Sequence, residues 1–172
     1  MRHEFNCISL AKIGIFFAEE RDMKLFVELA QEEYEIRIGR ELGRWEKRNE
    51  IEHFDEDAPD EELSAWYSRN QTECDEILAS CYEELCQEIL RDKDKFPGVV
   101  QDFPPELREL TLEDLDLSIR AFNNLKRAGL NTVGSILDHG DLSDVRNLGK
   151  KCYNEVMEIL TQLLWDAYSK SA

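Results

Sequence analysis

The sequence lacks the parts from which most catalytic and metal sites are built. It has no Cys-x-x-Cys pair, and its three histidines, His3, His53 and His139, stand apart from any cysteine cluster. A zinc site needs clustered Cys or His ligands, so no metal is expected. The cysteines, Cys7, Cys74, Cys81, Cys86 and Cys152, are odd in number, and three recur at helical spacing in one segment. That pattern reads as free thiols serving as small apolar residues in a reducing compartment. No glycine loop is followed by Lys-Ser or Lys-Thr, and no histidine lies near a nucleophile. Carboxylates are abundant, but without a pocket they do not make an acid–base pair. Neither catalysis nor a cofactor is expected.

Long apolar runs are also missing. Residues 5–17 come nearest, but Asn6 and Lys12 interrupt them and Glu19-Glu20-Arg21-Asp22 closes them. No small-residue cleavage site follows, so neither a membrane span nor a signal peptide is expected, and the protein reads as cytoplasmic. Positive charge is scarce: 21 Lys and Arg against 38 Asp and Glu give a formal net charge of -17. Such a balance argues against broad nonspecific binding to DNA or acidic membranes. The imbalance is uneven, because residues 1–109 hold 14 basic and 29 acidic residues while residues 110–172 hold 7 and 9.

What is present is helical. Residues 1–95 show no strand alternation, which predicts an acidic all-α bundle. Phe5, Ile8, Ile13, Phe16 and Phe17 predict a short apolar helix packed inside. Asp22 is placed to cap a second helix reaching Asn49, with Leu25, Phe26, Leu29, Ile36, Leu42 and Trp45 as its apolar positions. An acidic connection over residues 53–62 leads through Pro59 into a further helix, where Trp66 and Tyr67 form an apolar patch expected to be core. Cys74, Ile77, Leu78, Cys81, Tyr82, Leu85, Cys86, Ile89 and Leu90 recur every three or four residues and predict a helix over residues 72–91. The Pro- and Gly-containing residues 96–109 predict a linker between an acidic domain, 1–95, and a second domain, 110–172.

The second domain centres on Asn147-Leu148-Gly149-Lys150-Lys151. Glycine turns the backbone at low steric cost, and a helix that starts at the lysines offers unpaired N–H groups and a positive dipole end. That is a helix-hairpin-helix, a sequence-independent grip on a nucleic-acid backbone. Helices are predicted over residues 118–127, 132–137, 141–145 and 150–168. Ile119, Leu125, Leu130, Val133, Ile136, Leu137, Leu142, Val145, Leu148, Val156 and Leu160 are the expected core.

Three motifs then occur in order: Asp114-Leu115-Asp116-Leu117-Ser118-Ile119-Arg120-Ala121-Phe122-Asn123-Asn124-Leu125-Lys126, Gly129-Leu130-Asn131-Thr132-Val133, and Arg146-Asn147-Leu148-Gly149-Lys150-Lys151. Over about residues 105–162 they resemble the C-terminal domain of the bacterial RNA polymerase alpha subunit. The large assembly domain that precedes this domain in the family is not expected here; a helical acidic segment takes its place. The resemblance implies binding to the minor groove of A/T-rich DNA, with RNA polymerase, sigma factor or a regulator as protein partners. By matching position it implies Arg120 in the minor groove and Asn123, Asn147, Gly149 and Lys151 at backbone and groove edge. Asn124, Lys126, Cys152 and Glu155 would share that face, with Lys150 beside them. Asp114 and Asp116 match an acidic surface used toward sigma, although capping and solubility also account for them. Cys152 replaces a common Ser, and Asn124 replaces a residue that is often small.

Two functions follow as expectations. The first is a transcription-related DNA-binding protein with an acidic N-terminal protein-interaction domain. The second is a phage or mobile-element adaptor that captures RNA polymerase or another nucleic-acid enzyme by mimicry, without binding DNA.

Overall fold

The computed structural model describes residues 3–51 and 57–171. The first half of the expected acidic connection, including His53, lies outside the described residues. About 73% of the protein is helical, in the expected all-α class. The elements are α1 (Cys7–Lys12), β1 (Phe16–Phe17), α2 (Glu20–Asn49), α3 (Asp60–Arg69), α4 (Gln71–Asp92), β2 (Val99–Val100), α5 (Pro105–Arg108), α6 (Ile119–Arg127), α7 (Val133–His139) and α8 (Gly149–Ser171). Single 3-10 turns lie at Lys93–Lys95, Leu112–Asp114 and Leu142–Asp144.

Two compact units emerge, and their limits differ from the expected division at residues 96–109. One comprises Met1–Glu4 and Glu28–Ile89, the other Phe5–Val27 and Leu90–Ala172. The physical reason lies in residues 5–17. Only α1 is helical there; Gly14, at φ 85°, turns the backbone, and Phe16 and Phe17 pair antiparallel with Val100 and Val99. The expected linker is therefore half of a two-stranded ribbon. Phe103 is buried and meets Phe16 edge-on at 4.9 Å between ring centroids. Gly98 has φ 80°, and a Cβ there would lie 2.6 Å from the Asp22 carboxylate, so glycine is required.

In the first unit, α2 buries Ala30, Tyr34 and Ile38, one helical turn apart. The Tyr34 hydroxyl donates to the Leu78 carbonyl at 3.1 Å. Helix α4 buries Cys74, Leu78, Cys81, Leu85, Cys86 and Ile89, as its periodicity predicts. Trp66 is buried and meets Trp45 edge-on at 6.3 Å. Leu29 and Ile36, expected among the apolar packing positions of α2, are instead 58% and 55% exposed. The buried stripe runs through Tyr34 on the other side of the helix.

The second unit has a core that includes Leu112, Leu125, Val133, Leu142, Leu148, Val156, Leu160 and Leu164, and Ala11 and Phe16 join it. Full burial is worth about 1.5–3 kcal/mol for each large aliphatic residue, several times any capping contact in the same unit. Ile119 departs from the expected core: it is 81% exposed at the start of α6.

Candidate nucleic-acid interface

Each piece of the surface around residues 118–151 is set locally. Ser118 caps α6 by accepting from the Ala121 N–H, so Arg120 and Asn123 follow on neighbouring turns, both exposed. Asp141 accepts from the Ser143 N–H at 2.9 Å and starts the 3-10 turn before the hairpin. The Tyr153 hydroxyl donates to the same carboxylate at 3.2 Å. These hydrogen bonds, the Ser143 N–H first, hold the Asp141 carboxyl below its usual range. The hairpin turns through two left-handed residues, Asn147 at φ 64° and Gly149 at φ 72°. Asn tolerates this region better than most residues, and Gly meets no penalty there. Leu148, between them, is buried and anchors the turn.

Two side-chain ties fix α6 against the hairpin and α8. Asn124 Nδ2 donates to the Asn147 carbonyl at 2.8 Å. Glu155 accepts from the Ser118 N–H at 2.5 Å and from its hydroxyl at 2.9 Å. A carboxylate at the start of α6 also sits at the favourable end of that helix dipole. The result is a groove of about 430 Å³ whose lining includes Arg120, Gly149, Lys150 and Lys151, with Ser118 and Glu155 in its wall. Arg120, Lys150 and Lys151 are exposed and make no ion pair among the described residues. Their charge and the first N–H groups of α8 converge on one opening, an arrangement suited to an anion.

The residues singled out from sequence separate into two groups. Arg120, Asn123, Asn147, Gly149, Lys150 and Lys151 are exposed. Asn124 and Cys152 are 6% and 5% exposed, so neither is a free surface contact; Asn124 is a strut for the turn. Both carboxylate oxygens of Glu155 are engaged by Ser118. Lys126 donates to Glu113 at 2.7 Å, and this bond holds the Glu113 carboxyl below its usual range. Asp114 accepts from the Thr111 N–H at 2.8 Å and from its hydroxyl at 3.0 Å, which is the capping role, whereas Asp116 is exposed.

Sequence reasoning missed Lys12. It lies over the Tyr153 ring, 4.6 Å from the centroid, and burial, then the positive charge of Lys150, hold its ammonium below the usual range. No local motif marks it, because α1 reaches α8 only through the tertiary fold. Among the described residues no group of His, Cys, Asp or Glu is arranged to hold a metal, and no helix is long and apolar enough to cross a membrane.

The comparisons with known proteins fall on this part of the molecule. A DNA-directed RNA polymerase subunit alpha of Carboxydothermus hydrogenoformans is 48% identical over 65 residues, covering 37% of this protein and 21% of the relative. That of Symbiobacterium thermophilum is 39% identical over 101 residues, 57% of this protein and 30% of the relative. That of Moorella thermoacetica is 49% identical over 59 residues, 33% of this protein and 19% of the relative. The matched region thus spans less than a third of the length of these relatives. No solved structure matches. The family model for the C-terminal domain of the bacterial RNA polymerase alpha subunit matches residues 101–162, and through those residues the protein carries a domain of that family.

Proposed function

We propose that this protein binds DNA in a transcription-related role, through the face that Arg120, Asn123, Asn147, Gly149, Lys150 and Lys151 build. The observation that carries the reading is the groove in which Arg120 and the two hairpin lysines stand exposed and unpaired among the described residues. Phosphates interact with Lys150, Lys151 and the first N–H groups of α8. Arg120 enters the adjacent minor groove, which is narrow and strongly negative in A/T-rich sequence. Asn123 and Asn147 hydrogen-bond at its edge. With few phosphate contacts, affinity is low and falls as salt rises, by a slope of about 0.9 in log–log terms for each phosphate neutralised. The net charge of -17 suppresses nonspecific binding further.

The acidic N-terminal part is assigned to protein contact, with RNA polymerase or a regulator as partner. Asp116 is the exposed acid of the pair matched to the sigma-facing surface. Titration of a labelled A/T-rich duplex at low salt tests the reading. Wild type is expected to shift the duplex, and Arg120→Ala and Lys151→Ala to weaken the shift about tenfold each. Absence of any shift, together with capture of a polymerase subunit from bacterial lysate, would instead establish the adaptor without DNA affinity.

A further inference from the structure

Helix α2 carries an exposed stripe whose charges fit it to a copy of itself. Leu29 and Ile36, 58% and 55% exposed, lie seven residues apart, so they share one side of the helix, and Gly43 continues the same side seven residues later. Gly39 is also exposed, and a Cβ at either glycine would meet no atom within 4 Å. Glycine lowers helix stability by about 1 kcal/mol relative to alanine, and two of them here leave room for close approach of another backbone.

Charge along this stretch is polarised about Ile36. Residues 28–35 hold Glu28, Glu32, Glu33 and Glu35 with no base, whereas residues 37–48 hold Arg37, Arg40, Arg44, Lys47 and Arg48 against Glu41 and Glu46. A parallel pair of such helices sets like charge against like; an antiparallel pair sets acid against base.

We infer that α2 pairs antiparallel with α2 of a second copy of this protein, with the two-fold axis beside Ile36. Residues equidistant from Ile36 then come level. Leu29 of one copy lies over Gly43 of the other, a knob over a residue with no side chain. Glu32 comes level with Arg40, and both are exposed with no ion pair among the described residues. Each contact occurs twice, as a two-fold interface requires. At physiological salt the Debye length is about 8 Å, so the overall -17 of each copy is screened at longer range while these close pairs are not. One assembly then holds two weak DNA-binding units, which raises avidity without any new contact to DNA.

The test is sedimentation equilibrium of the full-length protein, and its readout is independent of DNA binding. Wild type is expected to be a dimer at concentrations of about 50 μM. Glu32→Arg and Arg40→Glu each place two like-charged pairs across the seam and are expected to weaken the dimer at least about tenfold, while the double variant E32R/R40E restores it. Both residues are exposed, so folding is not at stake. A monomeric wild type overturns the inference and leaves the stripe to a helix of another protein. A dimer that neither single swap weakens, or that the double swap does not rescue, overturns it equally.

Discussion

Arg37 and Arg120 carry the same guanidinium into opposite surroundings. Arg37 donates to the two oxygens of Glu88 at 3.0 and 2.6 Å and to Glu33 at 2.8 Å. These bonds, Glu88 first, push an already very high pKa higher still. Arg120 is exposed and has no ion pair among the described residues. In a protein with 38 acids and 21 bases, an unpaired cation is the less expected outcome. Within residues 28–89 arginine ties helix to helix. Around the hairpin the acids nearest to hand are already occupied: Glu155 by Ser118, Asp141 by Ser143 and Tyr153, Glu113 by Lys126. The contrast teaches that local capping and pairing leave Arg120, Lys150 and Lys151 available.

The comparison breaks most severely if the hairpin is not anchored by its core. Leu148→Ala removes a buried isobutyl group and is expected to destabilise the second unit by about 2–5 kcal/mol, measured by denaturant titration. Asn124→Ala leaves the Asn147 carbonyl without its 2.8 Å partner and is expected to cost about 1–3 kcal/mol. It should weaken DNA binding as well, although Asn124 itself is buried, because the turn it props is loosened.

These two residues show what the sequence made legible. The order of helices, the core through Leu125, Val133, Leu148 and Leu160, and the position of the hairpin follow from periodicity and turn chemistry, which act within a few residues. Asn124 and Glu155 were placed on the intended face by position along α6 and α8, but their bonds to Asn147 and Ser118 cross from one element to another. The pairing of Phe16 and Phe17 with Val100 and Val99 was illegible for the same reason: two-residue strands carry no alternation. In α2 several apolar residues lie on two sides, so composition did not decide which stripe is buried, and Tyr34 rather than Ile36 faces the core.

Smaller effects sharpen the contrast between the arginines. Arg37→Met is expected to cost the first unit about 1 kcal/mol, a figure discounted because Glu33 and Glu88 remain 44% and 46% exposed. Arg120→Ala should leave stability within about 0.5 kcal/mol of wild type, since nothing in the fold depends on that charge. The smallest effect is on pH dependence. Asp141 has its folded pKa depressed below 3.8, so its contribution is fully present above the unfolded value and is lost as pH falls through the folded one. Asp141→Asn is expected to flatten that acid limb in a stability profile of the second unit, with little change at neutral pH.

Salt-dependent binding of an A/T-rich duplex, followed by fluorescence anisotropy for wild type and Arg120→Ala side by side, tests the central claim most directly. The account predicts weak binding by wild type that fades as salt rises, and about a tenfold loss, 1.4 kcal/mol, in the variant with unchanged stability. Equal affinity of the two proteins at low salt would contradict it.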